Sequence, residues 1–297
     1  MDQLKDNQEG INADINTVSS TPPSGGRRGE RLFIIKIGGN VIDDEKSLAS
    51  FLDDLAAIKE KKILIHGGGK IATKIGEQLG IAPNYVNGRR ITDAATIDLV
   101  TMVYGGLLNK KIVAQLQAKG VNAIGLTGAD ANTIPAVKRP VKEIDYGFVG
   151  DIGSLEPGVG SRGSGMNHLE LFIDNGLMPV FAPLTHDGKG QVLNTNADTI
   201  ASALAVALSK KYQVRLIYCF EKKGVLENVE DDQSVITLIT KDIYKYLLDQ
   251  HKLFDGILPK IDNAYAAIDS GVQEVVIGDA KDLLKNTGER IAGTLIK

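Results

Sequence analysis

The chain alternates short, wholly apolar runs with longer stretches whose apolar residues recur at helical spacing. Leu32 to Ile35, Ile63 to Ile65, Met178 to Ala182, Val214 to Tyr218 and Val275 to Ile277 are runs of the first kind. They are too short for helices and apolar at consecutive positions, so each predicts a strand buried on both faces. Val121 to Leu126 predicts another strand, and the short β-like runs from about Ile134 to Ile152 predict hairpins. Between them, Leu48, Phe51, Leu52, Leu55 and Ile58 share one face of a helix capped by Asp43-Asp44-Glu45. Ile71, Ile75 and Leu79 point inward from the next helix. Thr92-Asp93 caps a long helix that is apolar over more than one face, pauses at Gly105-Gly106 and resumes to about Lys119. An alanine-rich helix runs to about Lys210, and another passes through Lys260, Ala264, Ala267 and Ile268.

Three polar interruptions of this pattern carry candidate chemistry. Lys36 ends the first apolar run and is followed by Gly38-Gly39. A lysine at the end of a buried strand is expensive unless it is paired or reaches a cavity. The glycines beside it expose backbone N–H groups, as a phosphate site at the strand ends of an open α/β sheet requires. The second strand runs directly into His66-Gly67-Gly68-Gly69-Lys70, a glycine-rich switch into a helix, where free N–H groups and the helix dipole favour an anion. It lacks the GxxxxGK[ST] spacing of a Walker A loop. His66 reads as structural. In the third interruption, Asn194, Asn196 and Asp198 alternate ahead of the alanine-rich helix, either as caps or as one polar face. Gly158 to Gly163 match GxGxxG, but no apolar strand precedes them, which argues against a dinucleotide site.

Composition narrows the field further. A length of 297 residues, 43% hydrophobic and 24% charged, suits a soluble globular protein of one large domain or two lobes. Net charge −3 and the absence of tryptophan argue against a nucleic-acid partner. No run is long enough for a membrane span, and no secretory signal opens the chain. Cys219, the only cysteine, fits a reducing cytoplasm. Residues 1–30, polar and ending in Thr21-Pro22-Pro23-Ser24-Gly25-Gly26, predict a disordered arm.

Six motifs then stand in one order: K-x-GG, HGGG, NGRRIT-D, GFVGDI, NTNADT and DG-x-x-PK. In that order the chain from about residue 31 to 297 resembles the amino acid kinase family, and within it the branch that phosphorylates the γ-carboxylate of N-acylated glutamates in arginine biosynthesis. The resemblance implies a three-layer α/β/α sandwich with an open, mainly parallel sheet. Residues 31–194 would form a lobe for the acyl amino acid and for homodimerisation, and residues 195–297 a lobe for ATP. Lys36 and Lys260 would neutralise the transferring phosphoryl group, with Asp198 holding both ammonium groups. Gly38, Gly39, Gly68 and Gly69 would offer N–H donors to phosphate oxygens and the attacked carboxylate. Arg90 would grip the substrate's α-carboxylate, with Asn194 and Asn196 completing the pocket. Mg²⁺ would arrive on ATP oxygens, without a metal cage of the protein's own. A carboxylate nucleophile is already ionised, so positioning and electrostatics, not a general base, would drive the reaction.

The chain departs from the family where a Thr/Ser-Asp pair usually follows the Val214–Tyr218 strand. It has Cys219-Phe220-Glu221-Lys222-Lys223-Gly224 instead, with Glu221 and Gly224 as the nucleotide-contact candidates. Arginine-inhibited hexameric relatives carry a helix just before the first strand; prolines and glycines there oppose one, which implies a dimer indifferent to arginine. The N-acyl group, acetyl or succinyl, stays open. So do a sibling kinase acting on another carboxylate, carbamate or nucleotide, and a non-catalytic amino-acid-binding regulator, against which two converging lysines argue.

Overall fold

A computed structural model describes residues 29–86, 88–155, 165–228, 230–250, 253 and 257–297. Nearly all of the expected arm, the 158–163 glycine motif and Phe254-Asp255-Gly256 therefore lie outside the described residues. The arm's last residue, Glu30, pairs with Lys61 at 2.8 Å.

The apolar runs form one sheet. Its strands are β1 (Arg31–Ile37), β2 (Lys61–His66), β3 (Ala123–Leu126), β4 (Met178–Phe181), β5 (Gln213–Phe220), β6 (Leu238–Ile239), β7 (Glu274–Asp279) and β8 (Thr294–Ile296). Their spatial order is β6-β8-β7-β5-β1-β2-β4-β3, parallel throughout except for the β7–β8 pair. Side chains alternate across the strands. Leu32 and Ile34 enter one apolar cluster with α6 (Gly165–Asp174), α7 (Ala197–Leu208), α8 (Lys241–Asp249) and α9 (Leu258–Asp269). Phe33, Ile35 and Ile37 enter a second cluster on the opposite face with α2 (Glu45–Ala57), α4 (Ala94–Val100), α5 (Asn109–Ala118) and α10 (Leu283–Thr287). Both faces of the central strands are thus covered, which is why their sequences read as continuous apolar runs. This is the three-layer α/β/α arrangement.

Two details differ from the sequence reading. The long helix does not pause at Gly105-Gly106: α4 passes into a π-helical turn over Thr101–Leu108 and then into α5. The wider winding accommodates the glycines inside one continuous rod, and such turns occur often at functional sites. Leu79, expected inward, caps α3 (Gly69–Gln78) and is 58% exposed. The expected hairpin is present, with Ala136–Lys138 antiparallel to Gly150–Ile152. Two further ribbons, Tyr85–Val86 with Arg89–Arg90 and Leu184–His186 with Val192–Asn194, stand beside the carboxyl ends of the parallel strands.

Candidate active site

The carboxyl ends of β1, β2 and β5 meet at one point, where open α/β sheets place ligands. Register sets Lys36 between Tyr218 on β5 and Ile65 on β2. Its Nζ lies 2.8 Å from Asp198 Oδ1. The contact is ionic, since that oxygen makes no hydrogen bond among the described residues. Asp198 stands in the first turn of α7, where the helix dipole favours a carboxylate. Asn196 caps the same turn, accepting from the N–H groups of Asp198 at 2.8 Å and Thr199 at 3.1 Å. The lysine is 9% exposed, so the pairing offsets a charge that β1 would otherwise bury alone.

Glycine loops form the next wall. Gly38 abuts Lys36: a Cβ placed there would stand 4.0 Å from Nζ. It precedes α1 (Gly39–Asp43), and Gly68 precedes α3; neither helix start has a side-chain cap, so their first N–H groups remain donors. A Cβ on Gly67 would come within 3.8 Å of Gly39 N, which puts the two loops side by side. Gly68 has φ +150°, and a Cβ there would stand 2.4 Å from Leu108 Cδ1, so this turn needs glycine. Leu108 and Tyr104, which also contacts Gly68, come from the π-helical turn, so the buried rod sets the loop's position. Burial raises the Tyr104 pKa, against the opposing pull of Arg90.

Arg90 reaches the same space from its ribbon. Its Nη2 donates to Gly69 O at 3.0 Å and Thr73 Oγ1 at 2.7 Å, and also to Tyr85 Oη, while the guanidinium lies 4.8 Å from the Tyr85 ring centroid. Asn194 donates from Nδ2 to Thr92 Oγ1 at 3.0 Å. On α9, Lys260 Nζ stands 3.7 Å from the centroid of the Phe220 ring, and Lys36 Nζ stands 5.3 Å from the same centroid. Burial lowers the Lys260 pKa; Asp198 acts against this and Lys36 adds to it.

Gly67 to Gly69, Arg90, Asn194, Asn196, Asp198 and Lys260 line one cleft of about 520 Å³, beside the Lys36–Asp198 pair. Of the sequence candidates, Lys36, Gly38, Gly39, Glu221 and Gly224 are not among the residues lining it; Lys36 adjoins it through Asp198, and Gly39 through the neighbouring Gly67. Gly224 is buried, and a Cβ there would meet Thr294 Oγ1 at 2.6 Å, so packing against β8 explains this glycine. Glu221 is exposed and is not among the residues lining the cleft; its charge is felt by Asp43, whose pKa burial raises despite Lys70. The sequence reading missed Tyr104 and Phe220. Tyr104 was hidden in an apolar helix, and Phe220 stood where a polar pair was expected.

The cleft can bind an anion at the glycine N–H groups and a carboxylate at Arg90. It also presents two ammonium groups to charge that spreads between these points. Asp198 is the one carboxylate lining it among the described residues, and it faces Lys36.

Comparison with known proteins gives the family. Residues 31–279 match the amino acid kinase family. The chain is 54% identical over 268 residues to the acetylglutamate kinase of Phocaeicola vulgatus, covering 90% of this chain and 99% of that one. It is 36% identical to the acetylglutamate kinase of Methanopyrus kandleri, covering 86% and 98%. Among solved structures, the smu.665 protein of Streptococcus mutans superposes with a TM-score of 0.68 at 28% identity, covering 90% of this chain and 98% of that one. The chain belongs to the amino acid kinase family.

Proposed function

We propose that the protein transfers the γ-phosphoryl group of ATP to the γ-carboxylate of N-acetyl-L-glutamate, giving the acyl phosphate used in arginine biosynthesis. The observation that carries this is the convergence of Asp198, Lys260 and Arg90 on one cleft, with Lys36 paired to Asp198 beside it, in a chain about half identical to the acetylglutamate kinase of Phocaeicola vulgatus over nearly its whole length. The reaction brings two anions together, and the residues answer that problem directly. Arg90 holds the α-carboxylate with a fork suited to it, Asn194 and Asn196 flank the amide, and the glycine N–H groups receive phosphate and γ-carboxylate oxygens. Lys36 and Lys260 face the charge on the transferring group, and Asp198 keeps the Lys36 ammonium in place. Mg²⁺ bound to the ATP phosphates neutralises part of their charge. Residues 31–194 serve the acyl amino acid and residues 195–297 the nucleotide. The enzyme works in the cytoplasm as a homodimer built on the 94–118 helix and indifferent to arginine. No helix among the described residues is long and apolar enough to cross a membrane.

One observation favours a second acyl group. An annex lined by Arg89, Arg139, Lys142, Glu143, Tyr146 and Asp151 shares Arg89 and Arg139 with the cleft. Arg139 gives Nε and Nη2 to Asp151, while its buried Nη1 has no hydrogen-bond partner among the described residues. A carboxylate at the end of an N-succinyl chain would supply one, and an unmatched buried donor is costly. ADP release across glutamate, aspartate, N-acetylglutamate, N-succinylglutamate, carbamate and UMP tests both readings. Turnover of neither acylglutamate refutes the assignment.

A further inference from the structure

Phe220 lies where the sequence departs from its family's usual Thr/Ser-Asp pair. It is the last residue of β5, half-buried, with its ring stacked 6.2 Å from that of Tyr218. Of the two ammonium groups at the cleft, that of Lys36, beside it, has a carboxylate at 2.8 Å. The Lys260 ammonium makes no salt bridge among the described residues and lies over the Phe220 ring face instead. From these contacts we infer that Phe220 is a positioning residue for phosphoryl transfer: its ring holds the Lys260 ammonium at the cleft, beside Lys36, without occupying the lysine's N–H donors.

The physics favours an aromatic group for this task. A ring face attracts a cation through its quadrupole, and does so more strongly where water is scarce. Unlike a carboxylate, it accepts no strong hydrogen bond, so all three N–H groups of Lys260 stay available to phosphoryl oxygens. A second carboxylate beside Asp198 would also cancel the positive field that the two lysines present to the reacting charge. Tyr218 backs the ring from the core, and Lys36 flanks it at 5.3 Å. Both ammonium groups thus lie within 5.3 Å of one ring centroid.

The kinetic part of the test rests on the kinase reading; the spectroscopic part does not. In ¹H–¹³C spectra of the intact protein, the Lys260 ε-methylene protons should be shifted upfield by the ring current, and this shift should vanish in Phe220→Leu. Random-coil positions in the wild type overturn the inference whatever the enzyme's substrate. With ATP and N-acetylglutamate, Phe220→Leu should lower kcat roughly 3- to 30-fold with little change in either KM, the size expected for one lost cation–π contact. Phe220→Trp should restore most of the loss. In a Lys260→Ala background, Phe220→Leu should add nothing further. A rise in the ATP KM with kcat intact would make the ring a nucleotide platform and sink the proposal. Full additivity of the two substitutions would reduce Phe220 to a packing residue. A wild type without acylglutamate kinase activity would refute the proposed function, leaving the spectroscopic result to decide the contact.

Discussion

His66 and Asn109 tie the glycine loop to the buried rod. Asn109 Nδ2 stands 3.3 Å from His66 Nε2 and also donates to Val180 O at 2.8 Å, while His66 Nδ1 lies 2.7 Å from Gly67 O. A carbonyl only accepts, so Nδ1 carries the proton and Nε2 accepts from the asparagine, which describes a neutral ring. Burial lowers the His66 pKa from 6.5 to about 4.

Stability should therefore fall as the solution is acidified. Above pH 6.5 both folded and unfolded His66 are neutral and contribute no pH dependence. Below it the unfolded chain takes up the proton first, so stability is lost as pH falls toward the folded value near 4. Between pH 7.5 and 5 the loss from this residue should be about 2 kcal/mol. Urea unfolding of wild type and His66→Gln across that range checks it; identical pH slopes would exclude His66 as the source.

Lys260→Ala should lower kcat by roughly two orders of magnitude or more while leaving ATP affinity nearly intact, as loss of transition-state stabilisation requires. Arg90→Ala should act chiefly on the acylglutamate KM. Steady-state kinetics separate the two, and the reverse pattern would exchange the roles.

Free glutamate should be a poor substrate. Its ammonium would enter space meant for a neutral amide, close to Arg90 and the two lysines. We expect kcat/KM to drop at least ~100-fold, about 2.7 kcal/mol. Efficient turnover of free glutamate would remove the charge argument.

Met102 and Leu107 on the π-helical turn are 56% and 51% exposed although the turn is largely apolar. Such residues suit a twofold contact. Light scattering should give a dimer, and Met102→Glu with Leu107→Glu should give monomers. A wild-type monomer rejects this surface as the contact, and a hexamer suppressed by millimolar arginine rejects the simple dimer.

Far from the cleft, Asp174 accepts from Lys61 at 2.6 Å, Lys211 at 2.8 Å and Tyr212 Oη at 2.8 Å. Asp174→Ala leaves two partly buried ammonium groups without it and should cost about 2–4 kcal/mol. Thermal and urea unfolding should register the loss while kcat at 25 °C is unchanged. An altered kcat would mean that this network reaches the active site.

The central strands and their helices were legible because double burial leaves a continuous apolar run and helical burial a periodic one. Lys36 and the glycine loops were legible as violations of those patterns. The π-helical turn was not, since Gly105-Gly106 in a window of apolar residues reads as a break in any helix of ordinary winding. The packing of Gly224 was not legible, because a glycine that yields space to Thr294 looks the same in sequence as one that yields space to a phosphate. The lysine–aromatic contact was hidden for another reason. It joins residues 40 positions apart on a strand and a helix, and no local spacing encodes it.

The place of β1 in the sheet governs how the molecule must be made. Among the described residues it is the first strand made, yet it pairs on one side with β5, whose first residue is Gln213. At about 5–20 residues per second, translation needs roughly 10 to 35 s to cover the interval. During that time one edge of Leu32 to Ile37 has no native partner, and Lys36 waits for Asp198. A nascent chain stalled before β5 thus displays a seven-residue, largely apolar strand edge, the feature that recruits chaperones or seeds aggregation.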